Sequence, residues 1–360
     1  MNNFKVSILD VLRGKKNVRI WAKILVLILS PLGFIYSILM SIRRTLFEKN
    51  IFKSKSLLVP VISIGNISLG GTGKTPVIVW LIKKIIDPGL NPAVISRGYR
   101  SVDSSLTIVS DGKGNVLTSP PASDEAVMLS RLFPNVPIVT GTDRIISGDK
   151  VISELNADVV LVDDGFQYLK LRRNFDLLLF HGKNPFGNGR VFPSGFLREP
   201  VESSKNADAF LVTGEDKEGG IQKVESLNLP VPIFTGELVV DRIFCPEKKS
   251  NIPLEKIKES KILAFSGIGN PDSFDHILNK SGFSIVDHLK FSDHTVYNKK
   301  YFLRISRKIE SLNPEYIITT EKDEVKLGDL QLGIPLLVLK VEMKFDDPDS
   351  LFQTILEKIL

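Results

Sequence analysis

Cysteine is nearly absent. Cys245 stands alone among 360 residues, which excludes an intrachain disulfide and leaves too few thiols for a structural zinc site. Such a chain suits a reducing compartment, where ATP is also at hand. Internal repeats and low-complexity tracts are missing, and a charged fraction of 24% with scattered Gly and Pro excludes disordered and fibrous classes. Acidic residues are scarce at the start: residues 1–55 carry eleven Lys or Arg against Asp10 and Glu48, a balance of +9, so the rest of this +6 chain stands at −3. The basicity therefore belongs to one terminal segment. No aromatic-interleaved basic stripe elsewhere suggests a nucleic-acid partner.

Inside that basic segment, Ile20 to Met40 is nearly all apolar and about as long as a bilayer span, though Lys23, Pro31 and Gly33 interrupt it. It is apolar on every side, unlike the surface helix of a soluble domain. Basic residues flank both ends, which favours neither orientation across a membrane. They suit a segment lying in or dipping into an anionic leaflet; a true span and a buried core helix are the competing readings. A cleaved signal peptide is not expected, because the apolar run is long for one, no small-x-small site follows, and export would part the chain from its nucleotide.

With 43% hydrophobic residues the chain can fill the cores of two ordinary domains. From Leu57, short apolar runs alternate with helical patterns, as parallel strands with crossover helices do. Val59–Gly65, Ala93–Ser96, Pro137–Gly141, Ala157–Asp164, Asp176–Phe180 and Ala209–Thr213 read as strands, and Thr107 to Ser119 as a hairpin with a Gly-rich turn. Pro residues around Leu227–Phe234 mark a boundary, and a new α/β unit starts at Lys261. The expected architecture is a membrane-associated segment (1–55), a P-loop NTPase-like α/β domain with a mostly parallel sheet and flanking helices (56–228), a linker (229–250) and a smaller α/β domain (251–360).

Chemistry enters at Ser68, Leu69, Gly70, Gly71, Thr72, Gly73, Lys74 and Thr75, which lie between a strand and an amphipathic helix. A Gly-rich turn there aims successive N–H groups at phosphate oxygens, and the helix N-terminus adds partial positive charge. Lys74 would bind the β- and γ-phosphates of a nucleoside triphosphate, and the Thr75 hydroxyl would ligate magnesium. Ser68 departs from the usual first Gly of a P-loop, but three glycines remain. Val159 to Asp164 ends a hydrophobic strand in two carboxylates, the form of a Walker B segment, so Asp163 or Asp164 is expected near the metal. Arg97, Arg144, Arg190 and Arg198 are candidates for bidentate phosphate contacts. Asp124, Glu125 and the pair Asp293–His294 are candidates for proton abstraction or metal binding.

Taken in order, Val61–Pro76, Ser96–Tyr99, Asp124–Glu125, Gly141–Arg144, Asp163–Gln167, Asn188–Arg190 with Leu197–Pro200, Gly267–Pro271, Asp293–His294 and Thr320–Asp323 make the chain resemble the tetraacyldisaccharide 4′-kinase family, the lipid A 4′-kinases of Gram-negative bacteria. The resemblance covers most of the chain. It implies transfer of the ATP γ-phosphate to the 4′-hydroxyl of an acylated glucosamine disaccharide phosphate at the cytoplasmic face of the inner membrane, with no obligate protein partner. It further implies that Asp124, helped by His294, deprotonates the hydroxyl, and that Lys74 serves catalysis. Thr75, Asp163 and Glu199 would lie around Mg2+, with Tyr99, Glu125, Gln167, Arg144 and Arg198 near nucleotide or substrate phosphates. Ala126, Tyr168 and Asn174 depart from the family's usual Pro, His and Asp. The competing function is a membrane-recruited P-loop ATPase or GTPase switch. Leu69 stands where one such class has Lys, while Thr320–Glu324 superficially resembles a guanine-reading element.

Overall fold

Runs such as Val61–Gly65 and Val159–Asp163 are mostly apolar and buried on both faces, and a parallel sheet sandwiched by helices provides that. The computed structural model describes residues 3–14, 18–98, 106–117, 123–328 and 332–359. Its helices are α1 (Asn3–Leu12), α2 (Ile20–Glu48), α3 (Lys74–Ile86), α4 (Asp124–Leu132), α5 (Arg144–Ser153), α6 (Lys217–Glu225), α7 (Pro271–Lys280), α8 (Lys299–Leu312), α9 (Glu321–Glu324) and α10 (Pro348–Ile359). Its strands are β1 (Val61–Gly65), β2 (Pro92–Ser96), β3 (Thr107–Asp111), β4 (Pro137–Thr140), β5 (Val159–Asp163), β6 (Phe175–His181), β7 (Ala209–Thr213), β8 (Ile233–Cys245), β9 (Ser250–Ile252), β10 (Ile262–Ser266), β11 (Ile285–Lys290), β12 (Tyr316–Thr320) and β13 (Leu336–Phe345).

All thirteen strands belong to one sheet, ordered β11-β10-β12-β13-β8-β7-β6-β1-β5-β2-β4-β3, with β9 hung on β8. Pairing is parallel except for β3 with β4, β13 with β8 and β8 with β9. Residues 229–250, expected as a linker, mostly form β8, which pairs with β7 on one side and β13 on the other and carries the sheet from one lobe into the next. The second lobe's last elements return to the first. Met343, Phe345, Leu351, Ile355 and Ile359 share a core with Val77, Ile78 and Leu81 of α3, and Trp80 lies 4.3 Å from the Phe345 ring. The expected hairpin after Thr107 is short: Leu117 N–H donates to the Val109 carbonyl, and β3 takes β4 as its ladder partner.

The N-terminal apolar run forms one unbroken helix, α2, which passes through Pro31 and Gly33 and continues to Glu48. It is no core helix. Ile20, Leu27, Ile28, Leu32 and Phe34 are each more than half exposed, and only Ala22, Val26, Gly33 and Arg44 are buried. Gly33 is the closest approach. A Cβ there would collide with Ser194 Oγ and come within 3.0 Å of the Val191 carbonyl, so only glycine lets the helix lie on the 191–194 loop. The helix is anchored at its other end, where Arg44 Nε and Nη2 both donate to Glu199 Oε2 (3.0 and 2.6 Å) and the guanidinium lies 4.6 Å from the Phe166 ring centre.

Candidate active site

The phosphate cradle follows from backbone placement. β1 ends at Gly65, the chain turns through Gly70 (φ +109°) and Gly73 (φ +84°), and α3 begins at Lys74. These positive φ values are open to glycine at little cost. The turn is braced from two sides. Leu69 N–H donates to Phe196 O and Arg198 N–H to Ile67 O (2.8 and 2.6 Å), and Thr213 Oγ1 donates to Thr72 O. The first brace brings the Leu197–Pro200 segment to the cradle. Lys74 Nζ lies 3.3 Å from Asn66 Oδ1 and 3.2 Å from Asp164 Oδ1.

The two carboxylates at the end of β5 have separate environments. Asp164, turned back at φ +55°, takes Arg198 Nη1 at 2.6 Å as well as Lys74. Burial works against its charge, but these cations outweigh it and hold the carboxyl below its ordinary range. Asp163 has no such cover. Its Oδ1 is shielded from water and takes no hydrogen bond from the described residues, and burial pushes the carboxyl up to about 7, against the pull of Lys74. A solvent-shielded carboxylate oxygen with no donor fits a divalent cation, whose charge would restore the ionised form. Glu199 is 2% exposed. Its Oε2 is spent on Arg44, while Oε1 has no hydrogen-bond partner among the described residues and faces the same requirement.

Across the cleft a second constellation joins the lobes. Asp124 opens α4, whose N-cap Ser123 accepts from Ala126 N–H, so the carboxylate sits on the positive end of the helix. His294, from the loop after β11, places Nδ1 3.1 Å from Asp124 Oδ2. Burial raises the Asp124 pKa, but the His294 hydrogen bond with Lys326 and Lys322 overcomes it, leaving the carboxyl below its ordinary value and ionised at neutral pH. Lys322 Nζ contacts Glu125 Oε1 at 2.7 Å and Asp293 Oδ1 at 2.9 Å. Neither Lys322 nor Lys326 stood out in the sequence; their spacing of four residues in the Thr320–Lys326 run was the available signal.

Thr320–Glu324 does not read a base. Asp323 is fully buried and accepts from Gly267 N–H, Tyr297 O–H and Thr320 Oγ1 at 2.9, 2.9 and 2.7 Å. A guanine-reading carboxylate must face solvent and ligand, so the resemblance to a GTPase element is superficial.

The remaining expected residues are dispersed along the cleft. Arg144 is 6% exposed, stacks 4.8 Å from the Tyr168 ring centre and donates Nη1 to Thr142 O, while its Nε has no acceptor among the described residues. Tyr168 donates to Asp143 and so fixes that stack. Gln167 Nε2 donates to Asn66 O, behind the cradle. Asn174 bonds Val61 through its side chain and its backbone, a structural role at the start of β1. Tyr99 lies outside the described residues.

One cavity of about 1160 Å³ runs through the site. Its walls include the whole loop from Leu69 to Thr75, Asp163, Arg198 and His294, and it extends to Tyr36, Met40 and Arg43 on α2.

A model of the family described as tetraacyldisaccharide-1-P 4'-kinase matches residues 25–360. The tetraacyldisaccharide 4'-kinase of Desulfotalea psychrophila is 38% identical over 313 residues, covering 85% of this chain and 89% of that protein. That of Halothermothrix orenii is 36% identical over 360 residues, covering 92% of each. The solved structure of LpxK from Aquifex aeolicus in complex with ATP superposes with a TM-score of 0.74 at 29% identity, over 93% of this chain and 100% of the other. By the extent of the family match and these identities, the chain belongs to the tetraacyldisaccharide-1-P 4'-kinase family.

Proposed function

We propose that this protein transfers the γ-phosphate of ATP to the 4′-hydroxyl of a tetraacylated, 1-phosphorylated glucosamine disaccharide at the cytoplasmic face of a bacterial inner membrane. The observation that carries the membrane part of this reading is the cavity itself, which is continuous from the exposed apolar helix α2 to the P-loop and His294. A four-chain acceptor stays in the bilayer, so its sugar must reach the nucleotide from that side.

In this reading the N–H groups of the Ser68–Thr75 turn, with Lys74 and Arg198, hold the β- and γ-phosphates. Phosphate binding would take over from Asp164 as the partner of Lys74 and Arg198. Thr75, Asp163 and Glu199 through Oε1 would hold Mg2+, which supplies charge neutralisation of the triphosphate when bound. Asp124, ionised and oriented by His294, accepts the proton of the acceptor hydroxyl as it attacks the γ-phosphorus. Tyr99, Glu125, Gln167 and Arg144 would orient the acceptor or the phosphates. Phosphoryl transfer asks the protein mainly for positioning and charge stabilisation, and the two lobes supply opposite sides of that geometry.

The direct test incubates the full chain with ATP, Mg2+ and lipid acceptor in mixed micelles and weighs the products. A gain of one phosphate on the lipid is expected; release of inorganic phosphate alone would instead indicate a switch ATPase. Removing residues 1–40 should release the protein from membranes. It should also lower activity on the tetraacyl acceptor by about tenfold or more, as the shared two-dimensional encounter is lost. Undiminished activity on that lipid would overturn the role given to α2.

A further inference from the structure

An acidic dipeptide and an Asp-His pair face each other where the lobes meet. Asp124 and Glu125 come from the first turn of α4, and Asp293 with His294 from the loop after β11. Asp323 lies behind them, and among the described residues His294, Tyr297, Lys322 and Lys326 face this junction. Four carboxylates brought this close repel one another unless cations stand between them.

Lys322 stands in that gap. Its Nζ touches Glu125 on one lobe (2.7 Å) and Asp293 on the other (2.9 Å), the residues next to Asp124 and His294. Burial opposes its charge, but the two carboxylates outweigh that and push its pKa above the ordinary lysine value, so the ammonium is permanent at working pH. Four residues on, Lys326 Nζ reaches Asp323 at 2.8 Å and lies 3.6 Å from Asp124. Thr320, capping α9, and the bonds to Asp323 fix the turn that carries both lysines.

We propose that Lys322 is a positioning residue for phosphoryl transfer, a clamp across the cleft that holds His294 against Asp124. This rests on the reading of Asp124 and His294 as the proton-accepting pair. Lys322 acts through Glu125 and Asp293 and moves no proton itself.

The test compares Lys322→Met, Lys322→Arg, Glu125→Gln, the double variant Lys322→Met with Glu125→Gln, and Asp124→Asn in the full chain with ATP and lipid acceptor. Lys322→Met is expected to lower kcat by about 10²-fold, the order that a misplacement of about an ångström costs. KM for ATP should stay within about threefold. The acid limb of its kcat–pH profile should move to higher pH, because Asp124 loses a positive neighbour. Lys322→Arg should recover kcat to within about tenfold. The double variant should lose less than the product of its two single losses, since both break one contact. An unchanged kcat in Lys322→Met overturns the proposal. So does a loss that tracks a fall in melting temperature while the acid limb stays in place, which is the signature of a purely structural ion pair. If Asp124→Asn loses activity and Lys322→Met does not, the clamp alone fails; if Asp124→Asn also stays active, the reading of the base fails with it.

Discussion

Asp124→Asn should lower kcat on the lipid acceptor by about 10³-fold, within the range that a positioned general base contributes. By the transition-state relation this is about 4 kcal/mol of barrier. The substitution is nearly isosteric. Its amide oxygen can still accept from His294 Nδ1, now 3.1 Å from the carboxylate, so the cleft keeps its shape while the proton acceptor is lost. ATP affinity should therefore change little, because the cradle residues Lys74, Asn66 and Arg198 make their contacts with one another and with Asp164, not with Asp124. His294→Ala should cost less, about 10²-fold, since Asp124 keeps Lys326 beside it at 3.6 Å. Measuring kcat, and nucleotide affinity separately, decides the matter. A near-normal kcat in Asp124→Asn with ATP binding intact would remove Asp124 from the chemistry. A parallel loss of ATP affinity would place it instead among the nucleotide contacts.

Much of this site was legible because the relevant chemistry is local in sequence. A Gly-rich turn between β1 and α3 needs only neighbouring residues to announce it, and a strand ending in Asp163 and Asp164 announces its own polarity. What separates the two carboxylates was not legible. It depends on Arg198 and Lys74 reaching Asp164 and leaving Asp163 bare, contacts made across 34 residues and more. The Lys322 clamp joins positions nearly 200 residues apart in the chain, and a Lys between acidic residues in sequence says nothing about which carboxylates it meets. In the fold, β8 was hidden for a related reason. Ile233–Cys245 follows a Pro-rich approach and is only partly buried, so it carries neither the solid apolar run of a central parallel strand nor a clean alternation. α6 was hidden by the adjacent Gly219 and Gly220, poor helix formers that the fold tolerates because Gly220 packs directly on the backbone of Gly182.

Arg44→Met should destabilise the folded protein by about 3–5 kcal/mol, the usual cost of leaving one member of a buried ion pair uncompensated. The basic flank of α2 reads in sequence as lipid-facing. Arg43, partly exposed at the cavity mouth, donates Nη2 to the Gln167 carbonyl at 3.2 Å. Arg44 turns wholly into the protein. It is 6% exposed, gives two hydrogen bonds to Glu199 Oε2 and one to the Phe166 carbonyl, and covers the Phe166 ring. Replacing it strands the Glu199 carboxylate beside the P-loop brace and loosens the end of α2 from the lobe that binds ATP. The double variant Arg44→Met with Glu199→Leu should regain most of the lost stability, because the desolvation cost disappears with the second charge. Denaturant midpoints for the two variants give this comparison directly; equal midpoints for Arg44→Met and the unaltered protein would show the pair to be energetically idle. The double variant also separates the two demands on Glu199. If Oε1 serves Mg2+ as proposed, the double variant should be stable yet need about tenfold or more additional Mg2+ for half-maximal activity, in line with the loss of one ligand-shell member. If Glu199 serves only the anchor, stability and Mg2+ dependence should return together. Under the first outcome a single carboxylate links the seating of the apolar helix, through Oε2, to the charge around the nucleotide, through Oε1, so the geometry that brings a lipid to the cleft and the geometry that readies ATP rest on the same residue.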